Sequence, residues 1–544
     1  MGSEQRLSGA GQPPHAAAPP VAVWRIGIIS GLLAALAATA AMMFLRLAAQ
    51  IHMPIELIAE WIPTVTPVSA HAGGIARFGE SLKPLGYSLL LGGQLLLGTL
   101  WGVVVWRWRS QQQLTSRSRR TWLLAGGAPL LFWLVLTGFL PSVQNGGLEL
   151  LSGLAGVVTF AVVLVAGQRA LAGYFARRRP KPSAAGQAEQ PRDRRSVFAR
   201  AAWSVVLILG GIGLWQFLTR ASRGGLLSMI GGPDSRGTRT EGVPSEITSI
   251  EDHYHVSKNF TDPDVDLAGW DLRLTGLVER PQTITYEQLR AMSSREKIHT
   301  LMCISNPVGG EFISTARWRG VPLKELLDRA GIGSGAREVV FHAADSYSDS
   351  IPIEKAMDPG CMVVWLMNGE QLPPAHGFPL RALIPDIYGM KNAKWITGIE
   401  VVDYDYRGFW QNRGWSDIAT IKVMSRIDVP QSGQRVPTGK EQFIGGVSFA
   451  GDREVEQVEV STDDGATWQA AQVRPALAPH AWSLWTLPWN PTPGTYALVV
   501  RATDDQGTTQ LPEHTDALPD GADGWHRITV EVVEPPPDTP PPSG

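Results

Sequence analysis

Residues 376–395, His-Gly-Phe-Pro-Leu-Arg-Ala-Leu-Ile-Pro-Asp-Ile-Tyr-Gly-Met-Lys-Asn-Ala-Lys-Trp, decide the fold of the second half of the chain. Two prolines and two glycines interrupt any helix or long strand here, so we predict a series of turns. These turns carry His376, Arg381, Lys391 and Lys394, which can donate several hydrogen bonds to an oxyanion or a phosphate. A solvated surface turn is the competing interpretation if this cationic segment is considered alone.

The sequence on both sides of this segment alternates short strands with short helices. Leu323–Ala330 followed by Gly331 predicts a short helix with a glycine stop. Apolar runs and alternating patterns predict the strands Trp270–Val278, Val339–Phe341, Met362–Met367 and Trp395–Val402. We therefore predict one α+β domain over residues 245–430.

The sequence becomes all-β from about Val436. Short strands are separated by turns such as Asp463-Asp464-Gly465, a spacing that is typical of an immunoglobulin-like sandwich. We predict this sandwich over residues 436–533. The Pro-rich tail 534–544 is predicted to be disordered.

The first 220 residues differ from the rest in charge and in hydropathy. The formal net charge of the chain is -2, but residues 1–220 hold 20 basic and 7 acidic residues, a balance of +13. The remaining residues have a balance of -15. Five uncharged apolar stretches have about the length of a membrane-spanning helix: Ile26–Leu45, Leu85–Trp106, Trp122–Val143, Leu150–Gln168 and Ala201–Leu218. The fourth and fifth are also compatible with buried helices of a soluble protein.

The positions of the arginines predict the orientation in the membrane. The second and fourth connections are rich in arginine, and basic connections stay in the cytoplasm. An N-terminus inside the cell then puts everything after the linker 221–244 outside the cytoplasm. Arg194-Arg195-Ser-Val-Phe198 resembles a twin-arginine export signal, and it equally fits two ordinary membrane anchors. We predict a multi-pass protein of the cell membrane with an extracytoplasmic soluble part.

Composition excludes several classes of protein. The arginines of the first half lie between apolar runs rather than on a polar face, which argues against nucleic-acid binding. Two cysteines cannot form a disulfide scaffold. No helix interior of the membrane region contains a histidine, so a histidine-ligated haem in the bilayer has no candidate ligands.

Cys303 lies in a loop, His299-Thr-Leu-Met-Cys303-Ile-Ser-Asn-Pro-Val-Gly-Gly310. Its thiolate can bind a soft or high-valent metal, although a lone cysteine is more often a buried thiol. Cys361, in an apolar run, is predicted to be a core residue, and a disulfide between the two stays open. Cys303 and the cationic segment 376–395 together predict a cofactor site.

Residues from about 250 to 430 resemble the sulfite oxidase family of molybdopterin enzymes. The resemblance rests on Cys303-Ile-Ser-Asn, Ile313-Ser-Thr-Ala-Arg-Trp-Arg-Gly320, Tyr347-Ser-Asp-Ser-Ile-Pro352, Met367-Asn-Gly-Glu, His376-Gly-Phe-Pro-Leu-Arg381 and Lys394-Trp395. Residues 436–533 resemble the C-terminal domain of that family, which often mediates dimerisation. The resemblance covers a little over half of the chain.

The resemblance implies a role for each matching position. Cys303 would supply the thiolate to molybdenum, beside the dithiolene of a single pyranopterin. The contacts to the pterin and its phosphate would come from Ser257, Lys258, Asn259, Asp345, His376, Arg381, Lys391, Asn392, Ala393 and Lys394. The haem domain of some relatives has no counterpart here, so no haem is predicted.

The positions that bind substrate in the family depart from its pattern. Sulfite oxidases surround the sulfite anion with arginines, whereas this chain has Lys258, Val308 and Ser483 at the matching positions. Loss of most bidentate arginines weakens selectivity for a small dianion. The cofactor is thus implied by the resemblance, and the substrate is not.

The catalytic tyrosine of the family also has no clear counterpart. Gapless counting from Trp395 puts Trp415 at its position, while the local sequence around Tyr406 is similar to that of the family. Both stay candidates, so the predicted catalytic residues are Cys303, Lys258, Trp415 and Tyr406.

These features lead to one expectation and two alternatives. We expect a membrane-anchored molybdopterin oxidoreductase that transfers an oxygen atom to or from a small substrate, with an unidentified electron-transfer partner and a homodimer formed through the C-terminal domain. A reductase of an oxidised sulfur or similar compound, supplied with electrons through the membrane, is the first alternative. A non-catalytic surface protein that binds through its sandwich is the second.

Overall fold

The chain changes from helices to strands near its middle. The structure is a computed structural model, and it describes residues 20–49, 51, 53–67, 69–70, 73–74, 82–112, 118–138, 147–177, 242–259, 262–438 and 442–534. The chain forms two compact units, one with the long helices before residue 178 and one with all described residues from 242 onward. The following paragraphs treat each unit by itself.

Among the residues that the structure describes, three helices of the helical unit are long and apolar enough to cross a membrane, within Trp24–Arg46, Leu85–Gln111 and Leu150–Phe175. They belong to the first, second and fourth predicted stretches. The helices of this unit are α1 Pro20–Ala49, α2 Pro54–Val65, α3 Leu82–Gln111, α4 Arg119–Trp122, α5 Ala128–Gly138 and α6 Gly147–Arg177.

The other two predicted stretches have different outcomes. A π-helical segment, Leu123–Gly127, joins α4 to α5, so the third stretch is helical up to Gly138. The fifth stretch, Ala201–Leu218, lies outside the described residues, as do linker residues 221–241 and tail residues 535–544.

Glycines allow the helices of this unit to approach closely. A Cβ added to Gly102 of α3 would lie 2.5 Å from the Cα of Gly31 in α1, so only glycine fits at this contact. The side chain of Gln168 in α6 donates to the carbonyl oxygen of Gly102 at 3.1 Å. It also accepts a hydrogen bond of 3.3 Å from the buried Arg109 guanidinium.

The sheet-rich unit begins with an α+β region of two sheets. Its strands are β1 Asp271–Gly276, β2 Gln282–Thr285, β3 Arg295–Met302, β4 Ile313–Pro322, β5 Glu338–Ala343, β6 Ser348–Pro352, β7 Met362–Met367, β8 Glu370–Gln371, β9 Arg381–Leu383 and β10 Ile396–Val402. Its helices are α7 Tyr286–Arg290, α8 Leu323–Ala330 and α9 Ile353–Ala356. One sheet has the order β2-β1-β10-β5-β6; the other has the order β3-β4-β7-β8, with β9 paired to β7.

Local sequence explains where the helices begin and end. The Thr285 side chain accepts from the Gln288 backbone N–H, and the Gln288 side chain accepts in return from the Thr285 N–H, a capping box that starts α7. Helix α8 has the predicted bounds, and it ends at Gly331, whose φ of 71° favours glycine.

The cationic segment connects the two sheets. Its strand β9 pairs with β7 of the second sheet, and β10 follows immediately in the first sheet. Cys303 follows the last residue of β3, and the turn between β5 and β6 contains Asp345. The fold therefore gathers the ends of β3 and β5 around residues 376–395.

The sandwich begins one strand earlier than the sequence predicted. Its strands are β11 Met424–Val429, β12 Arg435–Pro437, β13 Gln442–Phe449, β14 Val455–Ser461, β15 Gln469–Ala470, β16 Gln472–Arg474, β17 Ser483–Trp489, β18 Gly494–Asp504 and β19 His526–Val533. The two sheets have the orders β11-β13-β17-β16 and β12-β19-β18-β14-β15. Because β11 pairs with β13, the sandwich begins at Met424 rather than at 436. Side chains of both sheets share one core around Trp485.

The sandwich contacts the α+β region through hydrogen bonds. The backbone N–H of Thr300 in β3 donates to the carbonyl oxygen of His480 at 2.8 Å, and the N–H of Trp482 donates to the Thr300 hydroxyl at 2.9 Å. Arg426 of β11 donates to the carbonyl oxygen of Gly310 at 2.7 Å. The loop that carries Cys303 is therefore held from the sandwich as well as from its own strand.

Candidate active site

A cavity lies where the end of β3, the turn between β5 and β6, and the cationic segment 376–395 meet. Ten of the predicted site residues line it: Ser257, Lys258, Cys303, Asp345, His376, Arg381, Asn392, Ala393, Lys394 and Trp415. Residues far apart in the sequence thus form one site, as the paired clusters predicted.

The Cys303 thiol is one wall of this cavity. Its backbone N–H donates to the carbonyl oxygen of Phe312 at 2.9 Å, and its own carbonyl oxygen accepts from the Asn306 N–H at 3.0 Å. The Sγ atom lies 3.0 Å from the Ser305 hydroxyl. Burial raises the pKa of the thiol, while this hydrogen bond lowers it. The loop geometry is therefore fixed by backbone bonds, and the sulfur is left available to a ligand.

Cys361 has a different environment. Both cysteines are buried and free, so no disulfide joins them. The Cys361 thiol donates to the carbonyl oxygen of Lys355 at 3.1 Å, and burial raises its pKa to about 12. It is a core residue, as predicted.

Arg381 carries a buried charge among the residues that line the cavity. Its Nη1 donates to the carbonyl oxygen of His376 at 3.1 Å and its Nη2 to that of Asn392 at 3.4 Å. Its Nε has no partner, and no described carboxylate lies within ion-pair distance of the guanidinium. Burial lowers its pKa to about 10, so it stays cationic at neutral pH. Such a group requires an anion to satisfy it.

Two buried histidines lie beside Arg381. The rings of His253 and His376 are 5.0 Å apart, and the Nε2 of His376 lies 3.2 Å from the carbonyl oxygen of Ile250. Burial, with a smaller contribution from Arg381 and other neighbouring charged groups, lowers the pKa of His253 to about 3 and that of His376 to about 2. Both are neutral at physiological pH. The Nε2 of His253 has no hydrogen-bond partner and can bind a ligand.

Lys394 is another cation among the residues that line the cavity. Its ammonium group donates to the carbonyl oxygens of Ala375 and Val256 at 2.9 and 3.3 Å. It also lies 4.4 Å from the centre of the Trp395 indole ring. These contacts orient the ammonium group.

Lys258 is held differently from the other cations. Its ammonium group lies 3.2 Å from an oxygen of the Asp345 carboxylate and donates to the Asp345 carbonyl oxygen at 3.0 Å. Asn259 donates to the same carboxylate at 2.7 Å. Lys258 is therefore neutralised within the cavity wall. Asn259, predicted to contact the cofactor, lies outside the lining of the described cavity and acts through Asp345.

Lys391 lies outside the described lining of the cavity. The sequence predicted a cofactor contact, but Lys391 is not among the lining residues and its ammonium group donates to Asp349 at 3.1 Å. Lys391 is the buried last residue of the single-turn helix Gly389–Lys391, and its ammonium group also donates to the carbonyl oxygen of Ser350 at 2.8 Å. Tyr347, which does line the cavity, donates from its hydroxyl to the other Asp349 oxygen at 2.8 Å. Lys391 thus belongs to a buried network behind the cavity.

The two candidates for the catalytic aromatic residue are separated by the structure. Trp415 lines the cavity and is 6% exposed. Tyr406 lies outside the lining, because its hydroxyl donates to Ser348 at 2.7 Å and its backbone N–H donates to Glu338. The prediction of Tyr406 as a catalytic residue is therefore not supported by its position.

The other two positions of the missing arginine cage lie outside the described lining. Val308 and Ser483 are not among the lining residues, and Ser483 is a buried residue of β17.

Sequence reasoning missed several lining residues. These are His253, Tyr254, His255, Ser305, Tyr347 and Trp410. The pattern His253-Tyr-His255, only two residues before Ser257, is the feature that could have revealed the first three. Tyr347 and Ser305 lie inside quoted motifs, but nothing in those motifs distinguished them from their neighbours.

Comparisons with known proteins agree with this site. The family model described as "Oxidoreductase molybdopterin binding domain" matches residues 259–410, and the one described as "Mo-co oxidoreductase dimerisation domain" matches residues 416–533. Sulfite oxidase of Gallus gallus is 30% identical over 49% of this chain and 68% of its own length. The chain belongs to the sulfite oxidase family. The α+β region is therefore a molybdopterin-binding oxidoreductase domain.

Other relatives are matched over a smaller share of their length. Mitochondrial sulfite oxidase of Macaca fascicularis is 33% identical over 41% of this chain and 47% of its own, and nitrate reductase [NADH] 2 of Phaseolus vulgaris is 29% identical over 53% and 40%. The chain thus spans about half the length of most of these relatives. The sulfane dehydrogenase SoxCD of Paracoccus pantotrophus has 21% identity and a TM-score of 0.47 over 54% of this chain and 85% of that one, too low to support an argument.

The residues of the cavity fit the cofactor of this family. Cys303 offers a thiol, which suits a soft or high-valent metal. Arg381 and His253 each keep one buried nitrogen without a partner, which suits a phosphorylated pterin. When bound, molybdenum and its pterin supply the two-electron redox chemistry, and the protein sets orientation and access.

Proposed function

We propose that this protein is a membrane-anchored, mono-pyranopterin molybdenum oxidoreductase that transfers an oxygen atom to or from a small substrate. The observation that carries the proposal is the cavity itself. The same cavity is lined by Cys303, Arg381 and His253. The Nε of Arg381 and the Nε2 of His253 have no hydrogen-bond partner, which suits an anionic metal cofactor. Cys303 would hold the metal, while His376, Arg381 and Lys394 would hold the anionic part of the pterin.

The membrane location is part of this proposal. The three long apolar helices and the arginine-rich connections support a multi-pass anchor with the catalytic region outside the cytoplasm. Protease treatment of intact spheroplasts tests the orientation. Cleavage of the catalytic region from outside supports it, and protection until the membrane is broken contradicts it.

The partners are proposed from the domain composition. The match of residues 416–533 to a dimerisation domain supports a homodimer, which sedimentation of the detergent-solubilised protein can test. The electron-transfer partner has no identifying feature among the described residues.

The decisive experiment is the metal content of the purified protein and of two cysteine variants. We expect molybdenum and pterin in the wild type. Cys303→Ser should lower turnover by more than about 1000-fold, because the thiolate is a metal ligand and a hydroxyl replaces it poorly. The matched control is Cys361→Ser, since Cys361 is also buried but hydrogen-bonds only to a backbone carbonyl in the described structure.

Two results would contradict the proposal. A wild-type protein without molybdenum and pterin would favour a non-catalytic surface protein. Equal turnover in the Cys303→Ser and Cys361→Ser variants would remove Cys303 from the metal site.

A reductase is the second candidate function, and the neutralised Lys258 favours it. The ion pair with Asp345 removes a free cation from the cavity, so little remains to select a small dianion such as sulfite. The indole rings of Trp410 and Trp415 suit a less charged substrate. Assays with sulfite and an artificial electron acceptor, set against a sulfoxide and an artificial donor, distinguish the two directions.

A further inference from the structure

The loop that carries Cys303 folds back on itself before β4 begins. The Oδ1 atom of Asn306 accepts from the backbone N–H of Phe312 at 2.9 Å. The N–H of Gly310 donates to the carbonyl oxygen of Pro307 at 2.9 Å and closes a turn. The backbone bonds of Cys303 to Phe312 and to Asn306 connect this turn to both ends of the loop. A shift of the turn is therefore transmitted to the backbone of Cys303.

Two side chains of the sandwich contact this turn. Nη1 of Arg426 in β11 donates to the carbonyl oxygen of Gly310 at 2.7 Å. A Cβ added to Gly309, whose φ is 75°, would overlap the imidazole ring of His526, so the ring packs directly against the turn and only glycine fits there. Nδ1 of His526 accepts from the backbone N–H of Ile427 at 3.0 Å. The turn is thus in contact with two side chains that β11 holds in place.

Arg426 is itself fixed by a buried ion pair. Its Nε donates to Oδ1 of Asp428 at 2.9 Å, and both side chains are 6% exposed. Buried ion pairs often contribute little net stability, because both charges lose their hydration. The guanidinium is planar and donates in fixed directions, so the bond of Nε to Asp428 determines where Nη1 holds the carbonyl oxygen of Gly310. The ion pair therefore sets the position of the turn.

We propose that Arg426 and His526 are positioning residues that set the orientation of the Cys303 thiol toward the cofactor. The inference rests on the proposed function, because it requires Cys303 to bind the metal. Neither side chain is among the described lining residues, so both act through the loop 303–312. The Ser305 hydroxyl, 3.0 Å from the sulfur, belongs to the same loop and moves with it. The sandwich is then part of the active site as well as a dimerisation domain.

The first test measures the loop in the full-length protein without its cofactor, purified from cells that cannot make the pterin. The chain has two cysteines, so a Cys361→Ser background leaves Cys303 as its one thiol. Arg426→Met and His526→Ala should each raise the rate of Cys303 alkylation by iodoacetamide by at least about 10-fold, since contacts that keep the loop closed are lost. Hydrogen exchange of the amides of residues 303–312 should accelerate by a similar factor.

Arg453→Met is the matched control. Nη1 of this sandwich arginine lies 3.2 Å from the buried Asp504 carboxylate, and the guanidinium donates to the carbonyl oxygens of Ala450 and Ile421. Its described bonds do not reach the loop of Cys303. Like Arg426→Met, it leaves a buried carboxylate without its cation and should lower the stability of the sandwich. It should leave the alkylation rate and the exchange of the loop amides unchanged.

The second test uses the molybdenum-loaded protein. Arg426→Met and His526→Ala should lower kcat by at least about 10-fold, since a misplacement of about 1 Å can cost about 100-fold in rate. KM should stay within about twofold, because neither side chain lines the described cavity. The electron paramagnetic resonance signal of the metal should change with the orientation of its sulfur ligand. Arg426→Lys keeps the charge beside Asp428 without the guanidinium fork, so it should recover part of the lost kcat.

Wild-type alkylation and loop exchange in Arg426→Met and His526→Ala overturn the proposal, as does a loaded variant with the kcat and resonance signal of the wild type. Equal loop exchange in Arg426→Met and Arg453→Met also overturns it, because Arg426 then serves only the stability of the sandwich. If Arg426→Met does not fold, His526→Ala and Arg426→Lys decide, since both keep a cation beside Asp428. A wild type without molybdenum contradicts the proposed function, and the alkylation of the cofactor-free protein still shows whether the two side chains hold Cys303.

Discussion

Two of the cations that line the cavity, Arg381 and Lys258, have opposite electrostatic surroundings. Arg381 is buried with no described carboxylate near it and with its Nε unpartnered. Lys258 lies 3.2 Å from the Asp345 carboxylate and so has its counter-charge already. A buried charge without a partner is unfavourable unless a ligand completes it. Arg381 therefore favours an anionic ligand beside it, whereas Lys258 already has its counter-charge and does not require one.

This difference separates the cofactor from the substrate. Arg381, His376 and Lys394 line the cavity and can donate hydrogen bonds, which suits the phosphorylated pterin of the sulfite oxidase family. Lys258 is paired with Asp345, and Trp410 and Trp415, which also line the cavity, carry no charge. These residues offer little net charge to a substrate anion. A protein can keep the cofactor of its family and change its substrate if the residues that hold the cofactor and the residues that contact the substrate can be substituted independently.

Among the tests of this difference, the largest expected effect comes from removing the unpaired cation Arg381. Arg381→Met should lower the molybdenum and pterin content by at least about 10-fold, because charge-assisted hydrogen bonds contribute about 1.5–3 kcal/mol each. The cofactor-free variant should be as resistant to denaturant as the cofactor-free wild type, or more so, since a buried unpaired charge is lost. Metal analysis and unfolding of both cofactor-free proteins provide the two measurements.

The control for this prediction is an arginine that has its carboxylate. Arg501→Met removes a half-buried guanidinium that lies 2.7 Å from Glu459 in the sandwich, and it should leave the cofactor content unchanged. A normal pterin content in Arg381→Met would show that this cation does not bind the cofactor. The proposed difference between Arg381 and Lys258 would then be wrong.

A smaller effect is expected from freeing the paired cation. Asp345→Asn removes the counter-charge of Lys258, so sulfate or another small dianion should inhibit about 10-fold more strongly, equivalent to about 1.4 kcal/mol. The gain should shrink as ionic strength rises. Inhibition constants at several salt concentrations test this.

Glu400→Gln is the matched loss of one negative charge, since Glu400 pairs with His342 outside the cavity lining. It should leave the inhibition by sulfate unchanged. Equal inhibition of the Asp345→Asn variant and the wild type would mean that Lys258 is not available to anions even when unpaired.

The sequence predicted those parts of the fold and site that depend on short segments. Helix α8 and strand β7 have the predicted bounds, because a glycine stop and an apolar run are local features. Cys303, His376 and Arg381 line the cavity, and each lies in a short motif of turn residues and donors. Their grouping in one site could therefore be predicted from sequence.

The rest depended on contacts between distant segments. The sandwich starts at β11 because that strand pairs with β13, and pairing between separate strands leaves no local mark. Lys391 lies outside the described lining and donates to Asp349, and a contact with a residue so far away in the sequence cannot be inferred from residue type. His253 and Tyr347 reach the cavity from segments about 50 and 44 residues away from Cys303 in the sequence.

The same contrast between paired and unpaired groups extends to the buried histidines. His253 has a partnerless nitrogen inside the cavity, where a ligand can satisfy it. His299 has two partnerless nitrogens and is 1% exposed, but it is not among the residues that line the cavity. We therefore expect His299 only to destabilise the fold, and at low pH in particular.

The smallest expected effect is on the pH dependence of stability in a His299→Leu variant. Burial lowers the pKa of His299 well below its usual value of 6.5 in the fold, while the unfolded chain binds a proton near 6.5. Below that pH the unfolded state therefore gains about 1.4 kcal/mol per pH unit, and the wild type loses that stability. Leucine removes this contribution, and it should change stability at pH 7.5 by less than about 1 kcal/mol, because an apolar group replaces an unsatisfied polar one.

Denaturant midpoints of the sheet-rich unit at pH 7.5 and 5.5, followed by tryptophan fluorescence, measure this change. The midpoint of His299→Leu should fall less with acidification than that of the wild type. His514→Leu is the control, since the His514 side chain is 63% exposed and its loss should not alter the slope. Equal slopes for His299→Leu and the wild type would indicate that His299 has a ligand or partner in solution. A buried nitrogen without a hydrogen-bond partner would then no longer distinguish Arg381 and His253 from other buried residues.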